Sequence, residues 1–345
     1  MSLAVAKLAG DLGLFELMVK SSTPLSVEEI GEATDAETAL LSRTPRKAKA
    51  LQRINEDRRA RIEIPCIYWY DRRDRCGYVH SFESNRSFEP SFDPGGHATQ
   101  LPDFLSETKY RNPTNPLSTT FHKAYKTDEL PFVWILKHPV FLENLNKWMS
   151  VQREGAPVWL DKFNFREEYC LGSKPDQPVF VDVGGGLGHQ SALFRQYYPD
   201  LPGRVILQDQ AAMVAQAPDV PGVEKMAHDF WTPQPVKGAT TYYLRNVLHD
   251  YPDDKCVVIL RNISAAMDQH SVVTIDEMVI PEKKAHWRAT QIDILMMSAM
   301  AAVERTLSQW ESLLDAAGLK ILKIGEYNKQ LQDCVLVAGP KNSFA

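Results

Sequence analysis

The sequence predicts an α/β fold in which a largely parallel sheet has helices on both faces and follows a mostly helical region. From residue 178 onward, short apolar runs alternate with helix-length segments, a pattern typical of parallel sheets. Only residues 326–332 separate the last two runs, too few for a parallel crossover, so the last strand is expected to be antiparallel. The seven predicted strands are residues 179–183, 204–207, 223–227, 240–244, 271–276, 319–325 and 333–338.

The length and charge of the chain narrow the classes of protein to consider. Its 345 residues are 44% hydrophobic and 24% charged, which is enough for two or three domains with sizeable cores. The 39 Lys and Arg residues nearly balance the 44 Asp and Glu residues, so no strong field attracts nucleic acid or a membrane surface. Shifts in composition suggest domains at residues 1–100, 101–171 and 172–345.

Cysteine usage and the lack of long apolar runs predict the location of the protein. No apolar run reaches the roughly 18 residues of a membrane span, and the N-terminus lacks the pattern of a secretory signal. The five cysteines are irregularly spaced, which fits a reducing compartment and predicts a cytoplasmic location. Cys66, Cys76 and His80 come nearest to a metal pattern, but they include no C-x-x-C pair, so we predict no metal there.

The N-terminal third divides into a helical part and a basic part. Helical patterning covers residues 1–42, and Ser26 followed by Glu29 predicts a capping box at the start of a short helix. Residues 43–76 then carry eleven basic and five acidic side chains. Such cations could neutralise DNA phosphates on a winged helix, but the interspersed acids favour a solvated face. We expect residues 43–88 to be irregular, because sustained apolar periodicity is missing.

A glycine cluster follows the first predicted strand. In Gly184-Gly-Gly-Leu-Gly188 the backbone can approach a ligand closely at the carboxyl edge of the sheet. The third glycine of a dinucleotide motif and the lysine of a P-loop are both missing. Asp209 ends the second strand, where a carboxylate can accept hydrogen bonds from a ribose diol. A nucleoside ligand without a required pyrophosphate is therefore predicted, and S-adenosylmethionine is the obvious case; the alternative is that Asp209 caps a helix near Ala211.

A histidine and several carboxylates fall at the same edge of the predicted sheet. His249 and Asp250 follow the fourth strand, Glu277 follows the fifth, and Glu304 lies in a short segment beyond. A phenol with a pKa of about 10 costs roughly 4 kcal/mol to ionise near neutral pH, and a positioned imidazole can take its proton as the oxygen attacks. The carboxylates would orient the imidazole and stabilise its cation. Methyl transfer to a weakly acidic hydroxyl is the chemistry that fits.

The acidic residues after the fourth strand allow a second interpretation as metal ligands. Asp250, Asp253 and Asp254 lie close together around Pro252. Their simpler role is the first turn of a helix predicted over residues 253–267, where acids interact favourably with the helix dipole. We therefore predict no metal.

At these residues the sequence resembles the metal-independent class I O-methyltransferases of caffeate type, in particular their fungal relatives in secondary metabolism. The resemblance runs from residue 101 to the C-terminus and includes residues 14–18. The matching motifs are Val181-Asp-Val-Gly-Gly-Gly186, Gln208-Asp209, His228-Asp-Phe230, Leu244-Arg-Asn-Val-Leu-His-Asp250, Asp276-Glu277 with Ile280-Pro281, and Glu304-Arg-Thr306.

The resemblance implies a role for each matching residue. His249 would be the general base, with Glu277 and Glu304 as its flanking carboxylates. The cofactor S-adenosyl-L-methionine would be held by Asp182, Gly184, Gly185, Gly186, Asp209, Asp229, Phe230 and Arg245. The acceptor pocket would be lined by Phe132, Trp148, Met149, Asp250, Met296 and Met297. Clusters of Met and aromatic side chains are equally common in ordinary cores, so pocket and core both stay open for them.

The resemblance also implies an architecture and a reaction. It implies a Rossmann-like seven-stranded sheet behind a winged-helix-like dimerisation domain, a homodimer, and a small aromatic or polyketide acceptor whose hydroxyl is methylated. Some relatives on this scaffold use the same cofactor for pericyclic reactions or dehydration, and a non-catalytic assembly subunit is a further alternative. The presence of His249 favours methyl transfer.

Overall fold

The computed structural model describes residues 8–14, 17, 20, 21, 25–43, 96–151, 155–282, 285–329 and 331–341. For residues 96, 98, 146–151 and 287 it describes the backbone alone. The segment predicted to be irregular, the winged-helix-like element and the group of Cys66, Cys76 and His80 therefore lie outside the described residues, apart from position 43.

The predicted capping box starts a helix of the N-terminal region. Helix α1 (Val27–Thr34) starts after Ser26, whose hydroxyl accepts a 3.1 Å hydrogen bond from the Glu29 amide, while the Ser26 amide donates to the Glu29 carboxylate at 2.6 Å. Helix α2 (Thr38–Arg43) follows. Leucines of this region, Leu40 among them, pack in one buried cluster with Met297 from the C-terminal half. The N-terminal helices are thus joined to the rest of the chain through a shared apolar core.

The segment rich in aromatic residues forms helices, and several of its rings pack against one another. Phe121, Tyr125 and Trp134 contact one another at centroid distances of 4.6 to 5.5 Å, and Trp159 stacks on Tyr243 of the sheet at 5.1 Å. None of the helices in the described ranges is long and apolar enough to cross a membrane. The elements here are α3 (Gly96–Thr99), α4 (Leu101–Glu107), α5 (Thr120–Tyr125), α6 (Pro131–Leu136), α7 (Pro139–Val151), a 3-10 turn (Trp159–Asp161) and α8 (Phe165–Tyr169).

A seven-stranded sheet follows, and it confirms the predicted fold class. The strands are β1 (Pro178–Val183), β2 (Arg204–Asp209), β3 (Val223–Ala227), β4 (Thr241–Arg245), β5 (Val272–Met278), β6 (Leu319–Asn328) and β7 (Asp333–Pro340). Their order is β3-β2-β1-β4-β5-β7-β6, and β7 runs antiparallel to both of its neighbours, as predicted from the short connection before it.

Helices cover both faces of the sheet. They are α9 (His189–Tyr197), α10 (Ala211–Val214), α11 (Asp253–Ser264) and α13 (Leu307–Ala316), whereas α12 (Trp287–Met300) packs against α2, α3 and α5. Tyr242 and Leu244 of β4 pack on the face covered by α11 and α13, whereas Tyr243 packs on the other face with Trp159 and Phe180. Because the central strands are buried on both faces, they read as nearly continuous apolar runs.

The sheet order creates a crevice at the carboxyl ends of β1 and β4. The chain winds outward from β1 through β2 to β3 on one side and from β4 to β5 on the other. Ligands of open α/β sheets bind at such a switch point, beyond the carboxyl ends of the strands. The glycine-rich loop leaves β1 at Gly184, and the segment with His249 leaves β4 after Arg245. The topology therefore brings the two predicted motifs to one crevice.

Candidate active site

The glycine-rich loop is tightly bound to the end of β2. The amides of Gly184 and Gly185 both donate to the Gln208 carbonyl, at 2.9 and 3.0 Å. A Cβ on Gly185 would lie 2.5 Å from Asp182 Cγ, so only glycine fits there. Gly186 has φ of 59°, and a Cβ on it would meet no atom within 4 Å. Open space therefore lies over the loop at Gly186, as a closely approaching ligand requires.

Asp182 lies beneath this loop rather than above it. Its side chain is buried and accepts hydrogen bonds from the amide and the hydroxyl of Ser191, at 3.1 and 2.8 Å. Burial raises the pKa of Asp182 to about 6. Asp182 therefore supports the loop and the start of α9, a different place from the ligand-facing one that the resemblance implies.

Asp209 stands at the tip of β2, beside the open space over the loop. One carboxylate oxygen accepts from the Gly186 amide at 2.8 Å and the other from the Gln210 amide at 2.7 Å. The N-cap of α10 is Gln210, so the alternative that Asp209 caps this helix is wrong by one residue. Burial raises the pKa of Asp209. A half-buried carboxylate next to open space fits a ribose diol, and this supports the nucleoside site.

An aromatic wall borders the loop on the other side. The Phe230 ring lies 3.5 Å from the position of a Cβ on Gly184, and Asp229 is exposed, accepting from the Trp231 amide at 3.1 Å. Trp231 and Tyr251 meet edge to face at 5.0 Å and extend the wall. The sequence analysis did not select these two residues, although Trp231 directly follows Phe230 and Tyr251 directly follows Asp250. Their aromatic faces suit an adenine ring, which stacks on such surfaces.

Arg245 is engaged by a buried carboxylate. It donates to Asp276 at 2.7 Å, and the hydroxyls of Tyr243 and Tyr327 donate to the same carboxylate at 2.5 and 2.6 Å. The network joins β4, β5 and β6 below the crevice. The cofactor role that the resemblance implies for Arg245 therefore competes with a structural one.

The histidine and its carboxylates converge as predicted. His249 lies in a 3-10 turn, Leu248–Asp250, and its Nδ1 is 2.6 Å from Glu304 Oε1 and 3.8 Å from Glu277 Oε2. Its Nε2 is 3.4 Å from Asp250 Oδ1. Glu277 lies within β5 rather than after it, and its Oε1 accepts from the amides of residues 247 and 248 at 2.9 and 3.0 Å. Glu277 thus holds the backbone that carries the imidazole.

Burial and mutual charge perturb the ionisation of this cluster. Burial lowers the pKa of His249, but the negative charges of Glu304, Glu277 and Asp250 outweigh it and raise that pKa to about 10. Burial raises the pKa of Glu277 to about 7 and that of Asp250 to about 6. One carboxylate oxygen of Glu277 and one of Glu304 are buried without a hydrogen-bond partner in the described part of the chain. Proton affinities perturbed this strongly are typical of functional sites.

The same groups bear on the metal question. His249, Glu277 and Glu304 each offer a ligand atom, and these atoms lie within 4.8 Å of one another, so their spacing alone could accommodate a cation. Asp253 and Asp254 form the first turn of α11, as predicted, although the helix ends at Ser264 rather than at residue 267. The Asp253 carboxylate accepts from the Arg305 guanidinium at 2.7 Å. Asp253 is therefore engaged by a protein cation.

The predicted acceptor-pocket residues are less well grouped. Met296 is 9% exposed, and Met297 is 1% exposed in the N-terminal apolar cluster, which places Met297 in a core. Phe132 is 38% exposed on α6, where its neighbour Trp134 packs inward instead. The side chains of Trp148 and Met149 lie outside the described residues.

Comparisons with known proteins agree with this arrangement. The family described as "O-methyltransferase domain" matches residues 176–320. "Demethylsterigmatocystin 6-O-methyltransferase" of Aspergillus flavus is 38% identical over 346 residues, which is 99% of this chain and 86% of that protein. "Methyltransferase cfoC" of Aspergillus candidus is 39% identical over 323 residues, 92% of this chain and 78% of that protein.

Solved structures show the same fold. "The structure of LepI complex with SAM" aligns with a TM-score of 0.67 at 32% identity, covering 99% of this chain and 86% of that chain. "A Pericyclic Reaction enzyme" gives a TM-score of 0.67 at 33% identity with the same coverage. The resemblance seen in the motifs is thereby confirmed, including the cofactor. The chain belongs to the class I S-adenosylmethionine-dependent O-methyltransferases.

Proposed function

We propose that this enzyme methylates a phenolic hydroxyl of a small aromatic polyketide and that His249 is the general base. The observation that carries the proposal is the 2.6 Å contact between His249 Nδ1 and Glu304 at the crevice of the sheet. Glu304 can hold a proton on Nδ1 of His249. The other ring nitrogen, Nε2, is then the atom that takes the proton from the hydroxyl to be methylated. S-adenosylmethionine supplies, when bound, an electrophilic methyl group on a positively charged sulfur.

The proton balance of this step runs through His249. The acceptor O–H proton would move to His249 Nε2 while the acceptor oxygen takes the methyl group; the methyl–sulfur bond breaks, its electron pair stays on the sulfur, and neutral S-adenosylhomocysteine is left. The resulting imidazolium would be stabilised by Glu304 and Glu277. The charges of Glu304, Glu277 and Asp250 raise the pKa of His249 to about 10, which favours the imidazolium that this proton transfer forms. A positive charge in the crevice would lower that pKa, because like charges disfavour protonation.

Cofactor contacts are proposed for the residues that border the open space. Asp209 would accept from the ribose diol, Gly184 to Gly186 would approach the cofactor through their backbone, and Phe230 would contact the adenine. Their positions at one edge of the crevice support these roles. Asp182 and Arg245 would act from beneath the site, through Ser191 and Asp276.

The acceptor class is proposed from the relatives. Relatives named demethylsterigmatocystin 6-O-methyltransferase are 38 to 44% identical to this chain, which aligns with 86% of one of them. Demethylsterigmatocystin is therefore the first acceptor to test, followed by other phenolic polyketides. The protein is incubated with each acceptor and S-adenosylmethionine carrying a labelled methyl group, and mass spectrometry should find the label in one acceptor. Absence of label from every acceptor would contradict the proposal.

The likeness to a pericyclic reaction enzyme makes a non-methylating reaction the second candidate. The same mass spectrometry separates the two reactions. Methyl transfer adds the labelled carbon to the acceptor, whereas rearrangement changes its retention time without changing its mass, and dehydration removes water. The imidazole with its two carboxylates favours methyl transfer.

We also propose that the enzyme forms a homodimer. Five large apolar side chains between α5 and the start of α7 are 38 to 63% exposed: Leu130, Phe132, Val133, Leu136 and Val140. Exposed apolar patches of this kind mark interaction surfaces. Light scattering after size exclusion should give twice the mass of one chain, and V133D should reduce it to one. A monomeric wild type would contradict the proposal.

The divisions at residues 100 and 171 and the cytoplasmic location remain proposals. Cys170, Cys256 and Cys334 are free and buried, which supports a reducing compartment. Burial raises the pKa of each of these thiols to about 12, so they are poor nucleophiles.

A further inference from the structure

Arg305 is a buried cation next to Glu304 whose donors all point at the segment that follows β4. Its guanidinium donates to the carbonyl of Leu248 at 2.8 Å and to that of Tyr251 at 2.9 Å. Two further bonds, of 2.9 and 2.7 Å, reach Asp253, and the Trp310 ring lies 5.2 Å away. The side chain is fully buried. The proton transfer described above does not use it.

The positions of these acceptors give Arg305 a geometric role. Leu248 begins the 3-10 turn that contains His249, and Tyr251 directly follows that turn. Glu304 holds the imidazole, and the next residue, Arg305, holds the backbone on both sides of it. The spacing between the carboxylate and the imidazole is therefore set by two adjacent residues.

A second buried arginine reaches the same segment from the N-terminal helices. Arg43, the last residue of α2, donates to the Ala302 carbonyl at 2.6 Å and lies 3.1 Å from the Asp293 carboxylate. The same Asp293 oxygen accepts from the Glu304 amide at 3.0 Å. Arg43 thus holds the Glu304 segment both directly and through Asp293. Its side chain is 7% exposed and that of Asp293 is 2% exposed, so solvent screens this contact weakly.

We propose that Arg305 and Arg43 are positioning residues for the contact between Glu304 and His249: Arg305 fixes the turn of His249, and Arg43 fixes the segment of Glu304. The proposal rests on His249 being the general base. It makes the N-terminal helices part of the active site's support, because Arg43 belongs to α2. A misplacement of about 1 Å in a catalytic group can reduce a rate about 100-fold.

Lysine substitutions test the positioning role. R305K and R43K keep the charge but lose the planar fork that binds several acceptors at once. Each should lower kcat by about 10- to 100-fold while the KM for S-adenosylmethionine changes less than about threefold. R204K is the matched control: Arg204 forms an exposed ion pair with Glu224 at the far end of β2, so its kcat should stay within about twofold of the wild type.

A double-mutant cycle separates positioning from general stability. If the arginines act through the contact between Glu304 and His249, R305K should change the rate by less than about twofold in an H249A background, and R43K should do so in an E304A background. If they only stabilise the fold, each should lower the rate by the same factor in both backgrounds, which would overturn the proposal. D253N is a further variant in case R305K does not fold; it weakens two of the contacts of Arg305 and should lower kcat by a smaller factor in the same cycle.

A titration of His249 needs no acceptor and therefore distinguishes failure of this proposal from failure of the proposed function. Glu304, Glu277 and Asp250 face the imidazole, so displacing Glu304 should lower the pKa of His249, measured by NMR of ¹⁵N-histidine, by about 1. An unchanged pKa in both R305K and R43K would overturn the positioning role. If the pKa of His249 is lower in the variants but the wild type transfers no methyl group, the positioning role of the arginines would stand. The assignment of His249 as the general base would then be refuted.

Discussion

Replacing His249 with alanine is the most direct test of the mechanism. The substitution removes the proton acceptor and leaves Glu304, Glu277 and Asp250 around the site without their cation. The acceptor must then lose its proton to water. At about pH 7.5, ionising a phenol of pKa about 10 costs about 3.4 kcal/mol, or about 300-fold in rate. The three carboxylates further disfavour a phenolate beside them, so we expect a loss of about 1000-fold, within the range for a general base.

The assay follows initial rates with labelled S-adenosylmethionine between about pH 6 and 10. The rate of H249A should rise about tenfold per pH unit, because it depends on the phenolate fraction. As the pH rises, the wild-type kcat should reach its plateau earlier than the variant does, once His249 has lost its proton. The affinity for S-adenosylhomocysteine should change less than about twofold, since the nucleoside contacts come from the loop after β1 and from Asp209. H270A is the matched control, because His270 is exposed just before β5 at the opposite edge of the sheet.

Two results would refute this reasoning. Turnover of H249A within about threefold of the wild type would show that His249 is not the base. A non-methylating reaction would then become the favoured function. A residual rate that does not change with pH would show that ionisation of the acceptor does not limit the variant.

Three further predictions follow from the same geometry. E304Q and E277Q should each lower kcat less than H249A does, and neither should add to it in a double variant, because residues that act as one unit lose their function together; additive losses would contradict this. Activity should survive EDTA, because the carboxylates are assigned to the imidazole; complete loss restored by Mg²⁺ would move the chemistry to a metal bound at the cluster of His249, Glu277 and Glu304. S-adenosylhomocysteine should raise the melting temperature of the wild type, whereas G185A should abolish its binding in calorimetry, since the new Cβ would lie 2.5 Å from Asp182; unchanged affinity of G185A would show that the loop is not the cofactor site.

Local patterns predicted much of the catalytic half correctly. All seven strands were predicted close to their observed positions, since apolar runs buried on both faces are hard to mistake when helices separate them. The antiparallel last strand followed from the length of one connection. Convergence of the glycine loop with His249 followed from strand polarity, because parallel strands bring their carboxyl ends to one edge.

Other roles depended on which way side chains point. Phe132 and Trp134 are two residues apart on α6, yet Phe132 is 38% exposed and Trp134 is packed among other rings. Met297 was a candidate for the acceptor pocket, but it packs in the N-terminal apolar cluster. Asp182 and Arg245 belong to conspicuous motifs but engage Ser191 and Asp276. Motif spacing identifies a position in the fold, whereas the partner of a side chain depends on neighbouring elements.

By itself, the sequence predicted the positions of the strands, the antiparallel last strand, and a glycine-rich loop and a histidine with carboxylates at one edge of the sheet, because these follow from patterns a few residues long. Only the tertiary structure decided how that histidine is held. Arg43 and Ala302 are 259 positions apart in the chain, and Arg305 and Leu248 are 57 apart. Each guanidinium is buried beside carbonyl groups that no local pattern connects to it. Such contacts form only when packing removes a cation from water and leaves distant backbone oxygens as its hydrogen-bond partners.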